Sequence, residues 1–183
     1  AQILATDNEQ SALGRVDEKI TRQNLSSRIS TQCISMTELN FLDASFDLIW
    51  AEASIYIMGV ESALSKWKAL LKDNGAIVFS DLVWLTDSPS HEPCEFWNGE
   101  YPDMQTVEAR LAQVAAAGYR VEHSFTISEQ AWRDYYEPLQ KRLDDTKPAL
   151  GCTQAFLDIQ KEVNLYKKYL GEFGYQFFIA EKR

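Results

Sequence analysis

Along the chain, short and nearly continuous apolar runs alternate with stretches where apolar residues recur every three or four positions. Ile3-Leu4-Ala5 is the first short run, a predicted strand that ends at Thr6-Asp7-Asn8. Leu13, Val16 and Ile20 follow at helical spacing. Arg28 to Ile34 predicts a second strand. Phe46-Asp47-Leu48-Ile49-Trp50-Ala51 predicts a third, after the turn-like Asp43-Ala44-Ser45. Ala63, Leu64, Trp67, Leu70 and Leu71 mark an amphipathic helix. It is expected to stop at Asp73-Asn74-Gly75, because Asn and Gly accept the left-handed backbone that ends helices. Ala76 to Ser80 predicts a fourth strand.

After Asp81 the texture changes. Leu85 to Pro102 holds Pro89, Pro93, Trp97 and Tyr101 and is expected to be a long loop or lid. Val107, Leu111, Val114 and Ala115 resume a helix that ends at Gly118, and Tyr119 to Ile127 alternates as a strand. Two helical stripes follow, one of Trp132, Tyr136, Leu139 and Leu143, the other of Phe156, Ile159, Val163, Tyr166 and Leu170; both read as core packing. The chain then turns through Gly171 and Gly174 into a last strand, Tyr175 to Ala180. This alternation predicts an α/β fold, a mostly parallel sheet covered by helices on both faces. Tyr119–Ile127 and Tyr175–Ala180 are expected to form a hairpin, which makes the last strand antiparallel. Without repeats or low-complexity segments, residues 1–183 read as one domain, with lid and substrate-side insertions in 85–146.

Composition narrows the function. Lys+Arg number 18 against Asp+Glu 27, a net charge of -9, which disfavours nucleic acid and anionic membrane as partners. No apolar run is long enough to span a bilayer. The start lacks a basic leader, so a cytoplasmic location is expected. Cys33, Cys94 and Cys152 are far apart and read as free thiols. With only His91 and His123 as histidines, no metal site is expected.

The segments ILATDNEQ, SMTELNF, FDLIWAEASIYIMG and WKALLKDNGAIVFSD, in this order, resemble the class I S-adenosylmethionine-dependent methyltransferases. The resemblance is strongest to a bacterial branch acting on small molecules, and extends through Phe96-Trp97 to AAAGYRVEHSFTI. It implies a Rossmann-like methyltransferase sheet with S-adenosylmethionine as cofactor. One departure stands out. The family's first strand and glycine-rich turn lie just upstream of the acidic strand end, and none of the eight glycines here forms such a turn. Those glycines let backbone N–H groups approach the cofactor closely. The chain is therefore expected to be an N-terminally truncated domain that lacks the first strand. An opening at that place would expose apolar faces and favour a homodimer.

Asp7 ends a strand at its carboxyl end, where open α/β sheets bind ligands. Its carboxylate suits two ribose hydroxyls, or else caps the helix that follows; the resemblance implies the ribose role, with Asn8 on the adenine edge. It also implies that Ser35 and Met36 clasp the adenine. Glu52 ends the third strand and is expected to hold the methionine amino group, to orient substrate, or to form a buried ion pair. Ile55 and Tyr56 would wall the methyl donor. Tyr56, Trp84, Phe96, Trp97 and Tyr101 are candidates for a substrate pocket, suited to a cationic or flat acceptor, or else they pin the loop to the core. His91 is a loop histidine that either acts as a base or is simply solvated. The resulting expectation is methyl transfer to a small-molecule acceptor, with no dedicated catalytic residue and with activity of this chain open. The alternatives are a non-enzymatic pseudo-enzyme or association module, and an NAD-dependent oxidoreductase.

Overall fold

Two separate sheets organise the chain in a computed structural model that describes residues 1–183. They belong to two compact units, Ala1–Asp43 and Ala44–Arg183.

The first unit is a single βαβ crossover: β1 (Ile3–Asp7), α1 (Gln10–Arg22) and β2 (Ile29–Cys33). Parallel strands need such a crossover, and α1 supplies it. β1 and β2 pair in parallel from Ile3 opposite Ile29 to Asp7 opposite Cys33. Leu13 and Ile20 of the apolar stripe are buried, and Lys19 and Arg22 sit in the last helical turn, where the helix dipole favours cations.

The second unit contains β3 (Phe46–Ala51), α2 (Val60–Leu70), β4 (Leu71–Trp84), α3 (His91–Glu100), β5 (Gln105–Thr106), α4 (Val107–Ala116), β6 (Tyr119–Thr126), α5 (Glu129–Leu150), α6 (Gln154–Tyr169) and β7 (Phe173–Lys182). Its strand order is β3-β4-β7-β6, with β5 beside the end of β4. β3 and β5 run parallel to β4, whereas β7 is antiparallel to both β4 and β6. The expected parallel sheet with an antiparallel C-terminal strand is therefore present. β4 is its spine: Ile77, Phe79 and Val83 are fully buried, and Phe79 stacks on Phe178 of β7 with ring centroids 4.9 Å apart. β3 is an edge strand, and its Leu48 and Trp50 are exposed. Most of both helical stripes packs inward: Trp132, Tyr136 and Leu143 of α5 meet Phe156, Val163 and Tyr166 of α6 in one buried cluster with Phe96 and Phe173, whereas Ile159 and Leu170 of the second stripe are exposed.

Three boundaries differ from the sequence pattern. α2 ends at Leu70, ahead of the Asp73-Asn74-Gly75 stop, because Leu71 is already extended and pairs with Phe46. The left-handed backbone falls at Asn74 (φ 61) inside the strand, where the register jumps from Phe46–Leu71 to Leu48–Ala76. β4 also runs on to Trp84 rather than stopping at Ser80, which encloses Asp81 in a strand. Aspartate is depleted in strands, so pattern alone ends the element early. Third, the expected loop from Leu85 to Pro102 contains α3. Pro93 lies in its first turn, where a missing N–H costs no helical hydrogen bond.

Gly75 is required at the irregularity, since a Cβ there would lie 2.9 Å from the Lys72 carbonyl oxygen. Gly75→Ala is predicted to destabilise the second unit by roughly 1–3 kcal/mol. Gly99, with open space around it in α3, should instead gain about 0.5–1 kcal/mol on Gly99→Ala. Urea denaturation of both variants tests this, and equal shifts would contradict it.

Candidate functional site

In the first unit, the parallel register places Asp7 at the end of β1 directly beside Cys33 at the end of β2. The Ile34 amide donates to the Asp7 carbonyl at 2.9 Å, so the chain leaves both strands at one point. Asp7, Asn8, Ser35 and Met36 are thereby brought to a single strand end. The helix-cap alternative for Asp7 does not hold, because Glu9 caps α1 by accepting from the Ser11 amide at 3.2 Å. Asp7 Oδ1 accepts from the Glu9 amide at 2.8 Å, which fixes the carboxylate at the exit of the strand. Ser35 Oγ is 2.8 Å from Thr37 Oγ1 and also accepts from the Thr37 amide at 3.3 Å. The result is an exposed carboxylate beside a half-buried methionine and hydroxyls. That set provides hydrogen-bond acceptors for a diol and an apolar surface for a flat ring.

In the second unit, the carboxyl end of β4 holds a buried charged cluster. Asp81 is 1% exposed and Arg110, on α4, is fully buried. Arg110 Nε lies 2.9 Å from Asp81 Oδ2, an ion pair in which the N–H is not aligned for a hydrogen bond. The guanidinium also donates to the Asp103 carboxylate, the Gln113 carbonyl and the Asp103 backbone. Tyr101 completes the cluster: its hydroxyl donates toward Asp81 at 3.0 and 3.2 Å and accepts from Arg110 at 3.0 Å. Burial pushes the Asp81 carboxyl up to about 6, against the downward pull of the Arg110 guanidinium and the Tyr101 hydroxyl. Burial first, then the Asp81 charge, drives the Tyr101 phenol far above its ordinary value. It is therefore a neutral, fully engaged tyrosine and not a base.

Tyr56 joins this cluster edge-on, with its ring centroid 5.6 Å from that of Tyr101. The turn before it is strained: Ala53 has φ 47, and its amide donates to the buried Ser80 hydroxyl at 2.9 Å. Such strain persists only where the surroundings enforce it. Glu52 is exposed and accepts from the indole N–H of Trp50 at 3.4 Å. The buried-ion-pair alternative thus belongs to Asp81, one strand over, which sequence reasoning missed. The available signal was an acid inside the apolar run Phe79-Ser80-Asp81-Leu82-Val83. Trp97 packs edge-on against Phe96 and Phe173, at 4.8 and 5.4 Å, and Trp84 packs against the same buried cluster. His91 is exposed at the start of α3, 3.9 Å from Glu95 and apart from Asp81 and its partners.

The profile of a methyltransferase domain family matches residues 1–79. Solved structures extend the likeness over nearly the whole chain. The [4+2]-cyclase SpnF superposes with a TM-score of 0.78 at 20% identity, covering 99% of this chain and 66% of that one. The fold is that of a class I methyltransferase. Geranyl diphosphate C-methyltransferase from Streptomyces coelicolor A3(2), in complex with Mg2+, geranyl diphosphate and S-adenosyl-L-homocysteine, shares the fold with a TM-score of 0.69 at 12% identity. It is matched over 100% of this chain and 63% of its own. Phosphoethanolamine N-methyltransferase 2 from Haemonchus contortus, in complex with S-adenosyl-L-methionine, matches with a TM-score of 0.72 at 16% identity, over 99% of this chain and 43% of its own. The methyltransferase-fold chain therefore spans less than two thirds of these proteins. No curated protein sequence matches it. No helix is long and apolar enough to cross a membrane.

The Asp81 carboxyl sets a pH dependence with a definite sign. The folded chain holds this proton more tightly than the unfolded chain, raising the value from 3.8 to about 6. Its contribution to stability is full below the unfolded value and is lost as pH rises through about 6. The loss amounts to about 3 kcal/mol. Asp81→Asn removes this titration, so urea denaturation of wild type and variant should show a stability difference that changes by that amount between acid and neutral pH. A constant difference would contradict the assignment.

Proposed function

We propose that this chain is the methyl-transfer domain of an S-adenosylmethionine-dependent methyltransferase acting on a small-molecule acceptor. The observation carrying this is the convergence of Asp7, Asn8, Ser35 and Met36 at one strand end of the βαβ unit. Their chemistry fits the nucleoside half of the cofactor. Asp7 would accept from the ribose hydroxyls, Met36 would pack on the adenine, and Ser35 and Asn8 would read its edge. In the second unit Glu52 is exposed, and its carboxylate is free of any buried ion pair and suited to an ammonium group. Bound S-adenosylmethionine supplies a methyl group already activated on a sulfonium.

The chain's own residues then orient the acceptor and exclude water, effects that bring reacting atoms together without a dedicated acid or base. Tyr56 and Tyr101 are the proposed acceptor-side rings. Asp81 and Arg110 position Tyr101 from behind. Trp84 and Trp97 support that side from within the aromatic cluster. Support also comes from the two related structures whose complexes contain S-adenosyl-L-homocysteine or S-adenosyl-L-methionine.

The eight glycines form no Gly-rich turn, and weak binding by this chain is expected. Amide NMR shifts detect weak binding. S-adenosylhomocysteine is predicted to shift residues 7–9 and 34–37, and Asp7→Ala should weaken the interaction by about 1.5–3 kcal/mol. Silence at these amides, an unchanged Asp7→Ala response, or the same shifts with NAD would overturn the reading.

A further inference from the structure

We infer that one half of a face of the second unit's sheet, centred on Trp50, Ile179, Phe177 and Phe125, is a self-association surface that packs against the same face of a second copy of this chain. The surface lies within the second unit and does not depend on the proposed methyl-donor site.

Strand register defines it. Trp50 pairs with Val78, Val78 with Ile179 and Ile179 with His123, which makes one row across β3, β4, β7 and β6. Partners in a ladder share a face, and so do residues two apart along a strand. Leu48, Ala76, Glu181 and Arg120 therefore form the row on one side, and Ser80, Phe177 and Phe125 the row on the other. Further along this face Leu82 and Phe173 are buried in the cluster with Trp132 of α5. The three rows are more open. Leu48, Trp50 and Phe125 are 47%, 61% and 51% exposed, and Phe177 and Ile179 are half-buried. Phe125 also stacks on Phe177, with ring centroids 5.2 Å apart. Exposed aromatics at both edges of one four-strand face make a continuous apolar patch, which marks an interaction surface in a way that scattered apolar residues do not.

The charge pattern selects the occupant. Charge on this face is confined to two corners. Arg120 is held by Glu122 at 2.8 Å and Glu181 at 3.1 Å, and Glu52 accepts from the Trp50 indole at 3.4 Å. A chain of net charge -9 thus keeps most of its charge off these rows, and two copies meet there with little repulsion. An anionic partner would find its one guanidinium already paired, and a basic partner would find a single carboxylate. Sheet faces pack on one another about 10 Å apart, and a two-fold axis lets the same face serve both copies. Four strands about 4.8 Å apart and three rows about 7 Å apart give roughly 400 Å² of face. A standard interface buries about 800 Å² per partner, so this dimer is weak and concentration-dependent.

Sedimentation velocity on the whole chain, from about 5 to about 500 µM, tests the inference, with monomer expected at the low end and dimer at the high end. Trp50→Lys and Phe125→Lys should each keep the chain monomeric throughout, because an unpaired ammonium is costly to bury. Leu157→Lys, at a 50% exposed leucine of α6, should leave dimerisation unchanged. Circular dichroism checks folding, and Trp50→Ser and Phe125→Ser, expected to weaken the dimer about fivefold or more, replace any lysine variant that misfolds. Phe125 decides the mode of contact, since β6 lies at the opposite edge of the β3-β4-β7-β6 order from β3. Sensitivity to Trp50 without sensitivity to Phe125 would mean that β3 edges pair, and would overturn the inference. A monomer at every concentration, or an equal loss in Leu157→Lys, would overturn it too. Phosphatidylcholine vesicles are expected to sediment without the chain. Vesicle binding that Trp50→Lys abolishes, in a chain that forms no dimer, would assign the face to a bilayer instead.

Discussion

Asp81 and Arg110 face one another with no solvent around either, and removing one of them would strand the other. A buried charge left without its partner typically costs about 3–5 kcal/mol. That penalty ties the central strand, which carries Asp81, to α4, which carries Arg110. It also ties in the segment between them, because Tyr101 and Asp103 complete the polar shell of the pair. A hydrophobic pair would fill the same space without directing Tyr101. The ionic arrangement sets where the Tyr101 ring stands, and Tyr56 leans on that ring. The placement of the Tyr56 and Tyr101 rings thus follows from electrostatics in the core rather than from the loops around it.

The first unit works by a different principle. Its site depends on strand register: pairing Asp7 with Cys33 makes the residues after β1 and those after β2 neighbours at one strand end. A shift by one position would move Asp7 off that end and turn every β2 side chain to the opposite face. The Glu9 amide bonded to Asp7 Oδ1 also holds the carboxylate at the exit of the strand before the helix begins. Polar capping and parallel pairing together leave the carboxylate exposed and oriented.

Much of this was legible in the order of apolar runs. Phe46–Ala51 matches its predicted strand residue for residue, because a short run that is apolar except for Asp47 and lies between turn signals has few other ways to fold. The helical stripes of Trp132 and Phe156 were readable as packing, and they do pack except at Ile159 and Leu170, which are exposed. Asp81 was not legible as part of the strand. Its partner lies on a helix three elements later, and single-sequence patterns carry no trace of pairing across that distance. The same limit hid α3, whose proline and polar residues read as a loop, although a proline in the first turn is harmless.

The central claim is that the strand end formed by β1 and β2 holds the nucleoside of a methyl donor. Ultraviolet cross-linking of the whole chain with isotope-labelled S-adenosylmethionine, followed by peptide mapping, tests it most directly. The account predicts label on the peptides carrying Asp7-Asn8 and Ser35-Met36, competed away by S-adenosylhomocysteine. Label confined to other peptides, or label that S-adenosylhomocysteine fails to displace, would contradict it.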